Sequence, residues 1–511
     1  MAAPGSAPAP ELTPDATPKL SFAATLATLP RSFWMCCTME MWERLAYYGV
    51  RMVMPIYIAQ ASEPGGLHFT MLQKGTIYFW WALIQSLLPM VTGGIADRYG
   101  YKRTIFVTIW LKIAGYVMMA TQRTYGGFFT GVILLAIGTA LFKPGVQGSL
   151  AQSMSKRNSS VGWGLFYWLV NVGGMIGPPF ASFLHSKGWP WVFYGCAAIV
   201  ALNFPMLLTY AEVDSGADKT TDVKKVLVDT LKNFFQARLV IVILLLSGFW
   251  MMMYQLWDLM PNFYADWIDS SAFVAKVGAW LPNSWLDLAD PRGVQLKQEN
   301  VLNLNAALIV LVLVPFSYVV ARMKVLWAMS LGILVAIGGI LISGTTRTIG
   351  PLFLGIVFFS LGEMLTGPKK VEYFALIAPP GQKALYLGYI NIPVAIGQAL
   401  GAWIAGALYG TGGEKAVLAL RYLAEKTAFV KGGTWNGDVA ALEAYTGVPR
   451  TAAFAKLQEV LGTSAADATR LLWSLYEPWR VWYVFAAIGA VSLAGMLIFS
   501  WRSKKWKDLD V

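Results

Sequence analysis

Apolar residues in this chain gather into blocks of about 20 residues or more, the length a helix needs to cross the hydrocarbon of a bilayer. Twelve such blocks stand at 33–60, 72–96, 103–121, 127–151, 160–185, 191–210, 239–267, 301–321, 325–344, 350–377, 383–409 and 479–501. The pattern predicts twelve membrane-spanning helices, numbered below in this order. The first block departs from it, because TMEMWERLAYYGVR at 38–51 places Glu40, Glu43, Arg44 and Arg51 inside an apolar run. At about 100° per residue, Glu40, Glu43, Arg44, Tyr47 and Arg51 share one arc roughly 100° wide over about 16 Å of helix. Charge inside a membrane helix is costly unless it faces a bundle interior or an aqueous cavity and finds partners. One reading is a polar cavity along this face; the other is a purely structural cluster with Glu40 paired to Arg44 at i+4.

Composition narrows the class. Charged residues make up 13% of the 511, and mean hydropathy is +0.53, against about 25% charged in an ordinary soluble domain. An all-α polytopic membrane protein is expected. The net charge of +12 is spread over loops: Arg98, Lys102 and Arg103; Lys156 and Arg157; Lys219, Lys224, Lys225, Lys232 and Arg238; Arg322 and Lys324; Lys383; and the tail from Arg502 to Lys507. These follow even-numbered helices, whereas the intervening short loops carry Arg123, Lys187 and Arg347. Basic residues collect on the cytoplasmic side, so both termini are expected inside, in a plasma (bacterial inner) membrane. With no continuous basic stripe, nucleic-acid binding is not expected. Cys36, Cys37 and Cys196 lie in apolar runs without metal-ligand spacing, which argues against a disulfide framework or a zinc site. No nucleophile–base pair or nucleotide loop points to an enzyme. Residues 1–30, rich in Ala and Pro, lack a basic stretch followed by an apolar core and are expected to form a disordered cytoplasmic tail.

The longest inside connector, 211–238, divides the chain into six helices (31–210) and six more (239–511). Two outside loops are long. Residues 268–300 read as turns and short helices, and 410–478 form a polar insertion with helix starts near Asp438, Pro449 and Ser464. That insertion is either a cap or a solvated spacer. Between the second and third helices stands GGIADRYGYKR, with Gly93, Asp97, Arg98, Gly100, Lys102 and Arg103. It resembles the cytoplasmic signature of the major facilitator superfamily, whose fold is two six-helix bundles around a central site. The resemblance implies a gating role: glycines allow a tight turn, and the acid and bases form a network holding one face shut.

Further matches are more specific. Glu40, Glu43, Arg44, Tyr47, Tyr48 and Gly49 resemble the first-helix E-x-x-E-R-x-x-Y-Y-G of the proton-dependent oligopeptide transporter family, with Leu45 where Phe is usual and a basic Arg51 two beyond the glycine. GTALFKPGVQGS brings Lys143 and Pro144 to the fourth helix. Phe166, Tyr167, Trp168, Asn171 and Gly173 match the fifth, and Gly362, Glu363 and Pro368 the tenth.

The resemblance implies a proton-coupled symporter importing di- or tripeptides by alternating access, with protons as coupling ion, no cofactor, and a monomer in the bilayer as the working unit. A peptide zwitterion needs a cation, an anion and amides. Arg51 and Lys143 would take its carboxylate, Glu363 its amine, Asn171 and Asn305 its backbone, with Tyr47 and Tyr48 lining the cavity. For coupling, His68 and His185 sit at helix ends, so carboxylates are the candidates: Glu40 and Glu43 beside Arg44, and Asp258 on the seventh helix, expected to bridge to Lys143. Structural alternatives are that Lys143 snorkels to the cytoplasmic interface, that Asn171 and Asn305 join helices, that Tyr48 faces lipid or a neighbouring helix and that Asp258 caps a helix or faces the outer interface. Departures concern cargo. Gln85–Ser86 stand where a tyrosine is expected, Gly367 stands where Ser is common, and 211–238 is too short for the two extra helices of many bacterial members. Lys112, Lys369 and Lys370 add charge without an assigned role, although Lys369 and Glu372 are spaced to pair. The alternatives keep the fold and change the cargo to nitrate, another organic anion or a peptide-like drug, or make the chain a non-transporting receptor.

Overall fold

The computed structural model describes residues 22–155, 158–212, 236–378, 386, 388–429 and 435–503. The tail expected at 1–30 falls outside them up to residue 21. Its last part is not disordered: Phe22–Ala27 is a short helix, and Asn158 Nδ2 reaches Thr28 Oγ1 at 3.1 Å just beyond it. Most of the 211–238 connector, Lys156, Arg157 and Lys383 also lie outside the described residues.

Helices occupy all twelve predicted blocks. The first is Arg31–Ala59, the third Tyr101–Thr121, the fourth Tyr125–Gln152, the fifth Ser159–His185, the ninth Val325–Gly344, the tenth Ile349–Leu376, the eleventh Asn391–Gly412 and the twelfth Arg480–Ser503. The others are broken. The second runs Met71–Leu87 and Pro89–Tyr99, interrupted where Pro89 supplies no N–H. The sixth is Trp189–Ala201 with Asn203–Leu207, and the eighth Gln298–Leu302 with Leu304–Ala321. The seventh is in three pieces, Ala237–Met253, Gln255–Asp258 and Met260–Trp267, the last break falling just ahead of Pro261. By length and apolar composition eight described helices qualify as spans, and nine if the bent eighth is counted. The first, second and fifth helices fall outside that count; the charges of the first and the break in the second account for two of the three.

Backbone-to-backbone contact through glycine sets how the helices meet. On the first and fifth helices, a Cβ on Gly177 would stand 2.5 Å from Leu45 O, and one on Gly173 2.4 Å from Met41 O. The two halves touch in the same way where the second helix crosses the eleventh: a Cβ on Gly75 would lie 2.6 Å from Ala402 O, and one on Gly406 2.4 Å from Met71 O. Between the second and third helices, Gly100 makes the turn at φ +95°, a conformation other residues rarely adopt.

The 268–300 loop holds a short helix, Ser271–Val277, and an antiparallel pair, Leu286–Asp287 with Gln295–Leu296. Arg292 donates to Ala265 O at 2.8 Å and Ile268 O at 3.0 Å, satisfying carbonyls at the end of the seventh helix. Burial pushes the Asp290 carboxyl up, but hydrogen bonds and charge from Arg292 outweigh this and hold it below the usual carboxylate range. In the insertion the expected caps are in place at Asp438 and Ser464, which accept from Ala440 N and Asp467 N. One helix there was not expected: Lys415–Lys426 follows the eleventh span almost directly.

Gly177→Val should cost about 1–3 kcal/mol through overpacking at the first–fifth crossing and lower the Tm of the detergent-purified protein. Gly350→Ala, at a position where a Cβ meets nothing within 4 Å, should leave Tm unchanged.

Candidate functional site

A cavity of about 240 Å³ lies between the halves. From the first half Tyr47, Tyr48, Arg51, Tyr167 and Asn171 line it; from the second, Trp250, Tyr254, Trp257, Asn305 and Glu363. Six of the sequence-predicted substrate residues thus share one space, and Lys143 is not among its lining. Tyr48 faces this cavity instead of lipid. Asn305 Nδ2 donates to Glu363 Oε2 at 3.1 Å and to Ser360 Oγ at 3.0 Å, so it orients the acid as well as facing the cavity. Asn171 Nδ2 donates to Tyr167 O of its own helix at 2.8 Å.

The polar face of the first helix is buried throughout. Arg44 Nε lies 3.2 Å from Glu40 Oε1, and its Nη2 is ion-paired with Glu43 Oε2. Both readings of this face hold at once: the i+4 pair exists, and Tyr47 and Arg51 on the same arc open to the cavity. Lys112 on the third helix, an orphan in the sequence, is ion-paired with Glu43 Oε1 and has no exposed surface. Lys143 has Arg44, Glu40, Glu43 and Lys112 as charged neighbours.

The bridge expected between Lys143 and Asp258 is not the one formed. Asp258 Oδ1 receives Arg51 Nη2 instead, across the halves. The Arg51 guanidinium sits 4.6 Å from the Tyr78 ring centroid and 4.8 Å from that of Trp81, an aromatic cradle on the second helix. The physical reason is register: Arg51 lies two turns beyond Arg44, level with the break in the seventh helix that presents Asp258. At the same break Lys74, which the sequence reading passed over, donates to Asp258 O at 2.8 Å and Asn262 Oδ1 at 2.7 Å. Nor does Asp258 cap the seventh helix. Gln85, where a tyrosine was expected, donates to Tyr47 Oη at 3.0 Å.

From this level to the end carrying the insertion, hydrogen bonds join the two halves. Gln60 Nε2 donates to Asp266 Oδ1 at 2.8 Å, Gln298 to Met52 O at 2.8 Å, and Asn303 to Met175 O at 2.8 Å. The insertion takes part: Arg450, held by Glu414 at 2.8 Å, donates to His68 O at 2.6 Å and Phe69 O at 2.8 Å of the first half.

At the opposite end, the glycine-rich signature packs within its own half. Tyr101 Oη donates to Asp97 Oδ1 at 2.7 Å, Lys102 Nζ to Tyr210 O at 2.7 Å, and Lys102 N to Glu212 Oε1 at 3.1 Å. Arg98 and Arg103 are exposed, while Gly93 lies within the preceding helix. On the tenth helix Lys369 pairs with Glu372 at 2.9 Å, as their spacing predicted, and buried Lys370 lies 4.4 Å from the Trp250 ring centroid.

The model of the Major Facilitator Superfamily matches residues 43–281. The peptide transporter YePEPT of Yersinia enterocolitica is 30% identical over 204 residues, covering 36% of this chain and 40% of that protein. The multidrug resistance protein MdtH of Yersinia pestis is 25% identical over 339 residues, covering 65% of this chain and 76% of that one. The chain spans less than half the length of the curated peptide-transporter relatives it matches. A crystal structure of a POT family transporter in complex with 5-aminolevulinic acid superposes with a TM-score of 0.64 at 15% identity, over 94% of this chain and 99% of that one.

Arg450→Ala removes the cation that Glu414 holds against the first half. Truncating one partner of a buried, hydrogen-bonded charge pair costs about 2–5 kcal/mol. Electron–electron distance measurements between spin labels at Ser62 and Arg470 should show a broader, longer distribution in this variant than in the parent.

Proposed function

We propose that this chain is a member of the proton-dependent oligopeptide transporter family of the major facilitator superfamily, and that it is a proton-coupled symporter importing di- or tripeptides by alternating access; the similarity to the superfamily model, to peptide transporters and to a POT family structure supports this. The observation that carries the reading is the pair of opposite fixed charges on facing walls of one cavity, Arg51 from the first half and Glu363 from the second. A peptide zwitterion offers a carboxylate to the first and an amine to the second, with Asn171 and Asn305 available to its amides.

The coupling follows from where the charges are engaged. With the insertion end closed, Arg51 is held by Asp258. A proton on Asp258 removes that partner, frees Arg51 for the peptide carboxylate and weakens the closure. Protonation within Glu40, Glu43 and Arg44 in turn releases a cation toward the linker end. Tyr47, Tyr48 and the tryptophans at 250 and 257 receive side chains. Lys143, outside the lining but beside the first-helix acids, serves as the mobile cation of that cluster. The glycine-rich signature at Gly93–Arg103 controls the linker end, where both termini face the cytoplasm of a plasma membrane, and a monomer suffices.

A second reading keeps the proton coupling and changes the cargo to a peptide-like drug or other organic anion. The match to a multidrug protein over 65% of this chain favours it.

Proteoliposomes with an imposed pH gradient distinguish the readings. Dialanine should accelerate acidification of the lumen, whereas nitrate alone should not. Glu363→Gln, which weakens a charge-assisted hydrogen bond worth about 1.5–3 kcal/mol, should slow dialanine uptake on the order of ten- to a hundredfold. Unchanged uptake in that variant overturns the amine assignment, and acidification by nitrate or a drug but not dialanine selects the second reading.

A further inference from the structure

Lys112 is a cation that none of the family patterns requires. It is fully buried in the third helix and is the second positive charge on Glu43, whose two oxygens meet different cations, Lys112 on Oε1 and Arg44 on Oε2. The fourth helix is shaped to admit it. A Cβ on Gly138 would stand 2.7 Å from Lys112 Cγ, and the Phe142 ring centroid lies 4.7 Å from the ammonium. Glu40 is held differently. Its Oε1 meets Arg44 Nε at 3.2 Å, while its buried Oε2 has neither an ion pair nor a hydrogen bond among the described residues; Glu43 Oε2 also lacks a hydrogen bond but keeps its ion pair with Arg44.

The titratable groups facing these two acids are Arg44, Cys36 and Cys37 on the same helix, Lys112 and Tyr116 on the third and Lys143 on the fourth. Tyrosine and cysteine are ordinarily neutral at physiological pH. Two acids therefore sit among three cations, two of them committed to Glu43. Neutralising Glu43 would strand Lys112, whose one ion pair among the described residues is with Glu43, whereas Arg44 keeps an acid whichever of the two carboxyls takes the proton. The open oxygen of Glu40 is where a proton displaces the least.

We propose that Lys112 is a fixed counter-ion that keeps Glu43 ionised through the transport cycle, leaving Glu40 as the acid of this pair that takes the coupling proton. Lys112 is thus a positioning residue, acting through Glu43. Protonating Glu40 releases Arg44 Nε and removes one of the two acids beside Lys143, and this converts proton uptake into cation release. The inference rests on the proton-coupled reading above, and its test needs no substrate.

Infrared difference spectra between alkaline and acidic buffer, on protein in lipid vesicles, follow each carboxyl directly. The parent should show a carboxylic-acid band that Glu40→Gln removes. Lys112→Gln should add a second band, and Glu43→Gln placed in the Lys112→Gln background should remove that added band. A Lys112→Gln spectrum identical to the parent's overturns the proposal. If Lys112→Gln alone does not fold, the neutral Lys112→Gln/Glu43→Gln pair replaces it: a parent band missing from this pair but present in Glu40→Gln places the proton on Glu43 and overturns the proposal equally. Dialanine uptake on the same parent vesicles is scored separately, so a wrong cargo and a wrong role for Lys112 give different results.

Discussion

A charge within a bilayer has no water to retreat to, so every ionised side chain placed there must find its answer inside the protein. That constraint organises the centre of this molecule. Glu40 and Glu43 are answered by Arg44 and Lys112, Arg51 by Asp258 and two aromatic faces, and Lys74 by a carbonyl that a helix break exposes. The answers come from different helices, and for Arg51 and Lys74 from the other half of the chain. A pairing needed to keep charge in the membrane is thereby also a statement about how the halves sit. Chemistry that changes one partner's charge acts on the arrangement of both halves.

Such pairs work only if helices approach within reach of short contacts, and the glycines supply that approach. The first helix can turn its polar face inward because Gly173 and Gly177 let the fifth lie against its backbone. Gly138 does the same for the Lys112 stem, and Gly75 with Gly406 holds the halves together at the second and eleventh helices. Packing and electrostatics are therefore one design here: the glycine positions decide which charges meet.

Much of this was legible in the residues. Block length and composition marked all twelve helices, and the 100° arc from Glu40 to Arg51 marked the buried polar face. What could not be read was pairing across the chain. Asp258 was recognisable as an acid needing a cation, but its choice of Arg51 over Lys143 depends on the height of the seventh-helix break relative to the first helix, which no local pattern encodes. Lys112 and Lys74 were visible as lone cations in apolar runs, and that oddity was the usable sign, yet their partners lie 69 and 188 residues away. Lys415–Lys426 escaped because it lies in a stretch read as polar insertion, although KAVLALRYLAEK carries helical periodicity.

The grip of Arg450 on the first half has a further consequence. Its guanidinium holds the main-chain carbonyls of His68 and Phe69, and no side chain of that loop takes part. His68 adopts φ +56°, in the left-handed region. The contact therefore reads the curvature of the chain, and the side chains at 68 and 69 matter to it through that bend: position 68 must accept the left-handed region, and Phe69 packs on Tyr125 and Phe128. What this contact holds under constraint at the rim is the path of the backbone.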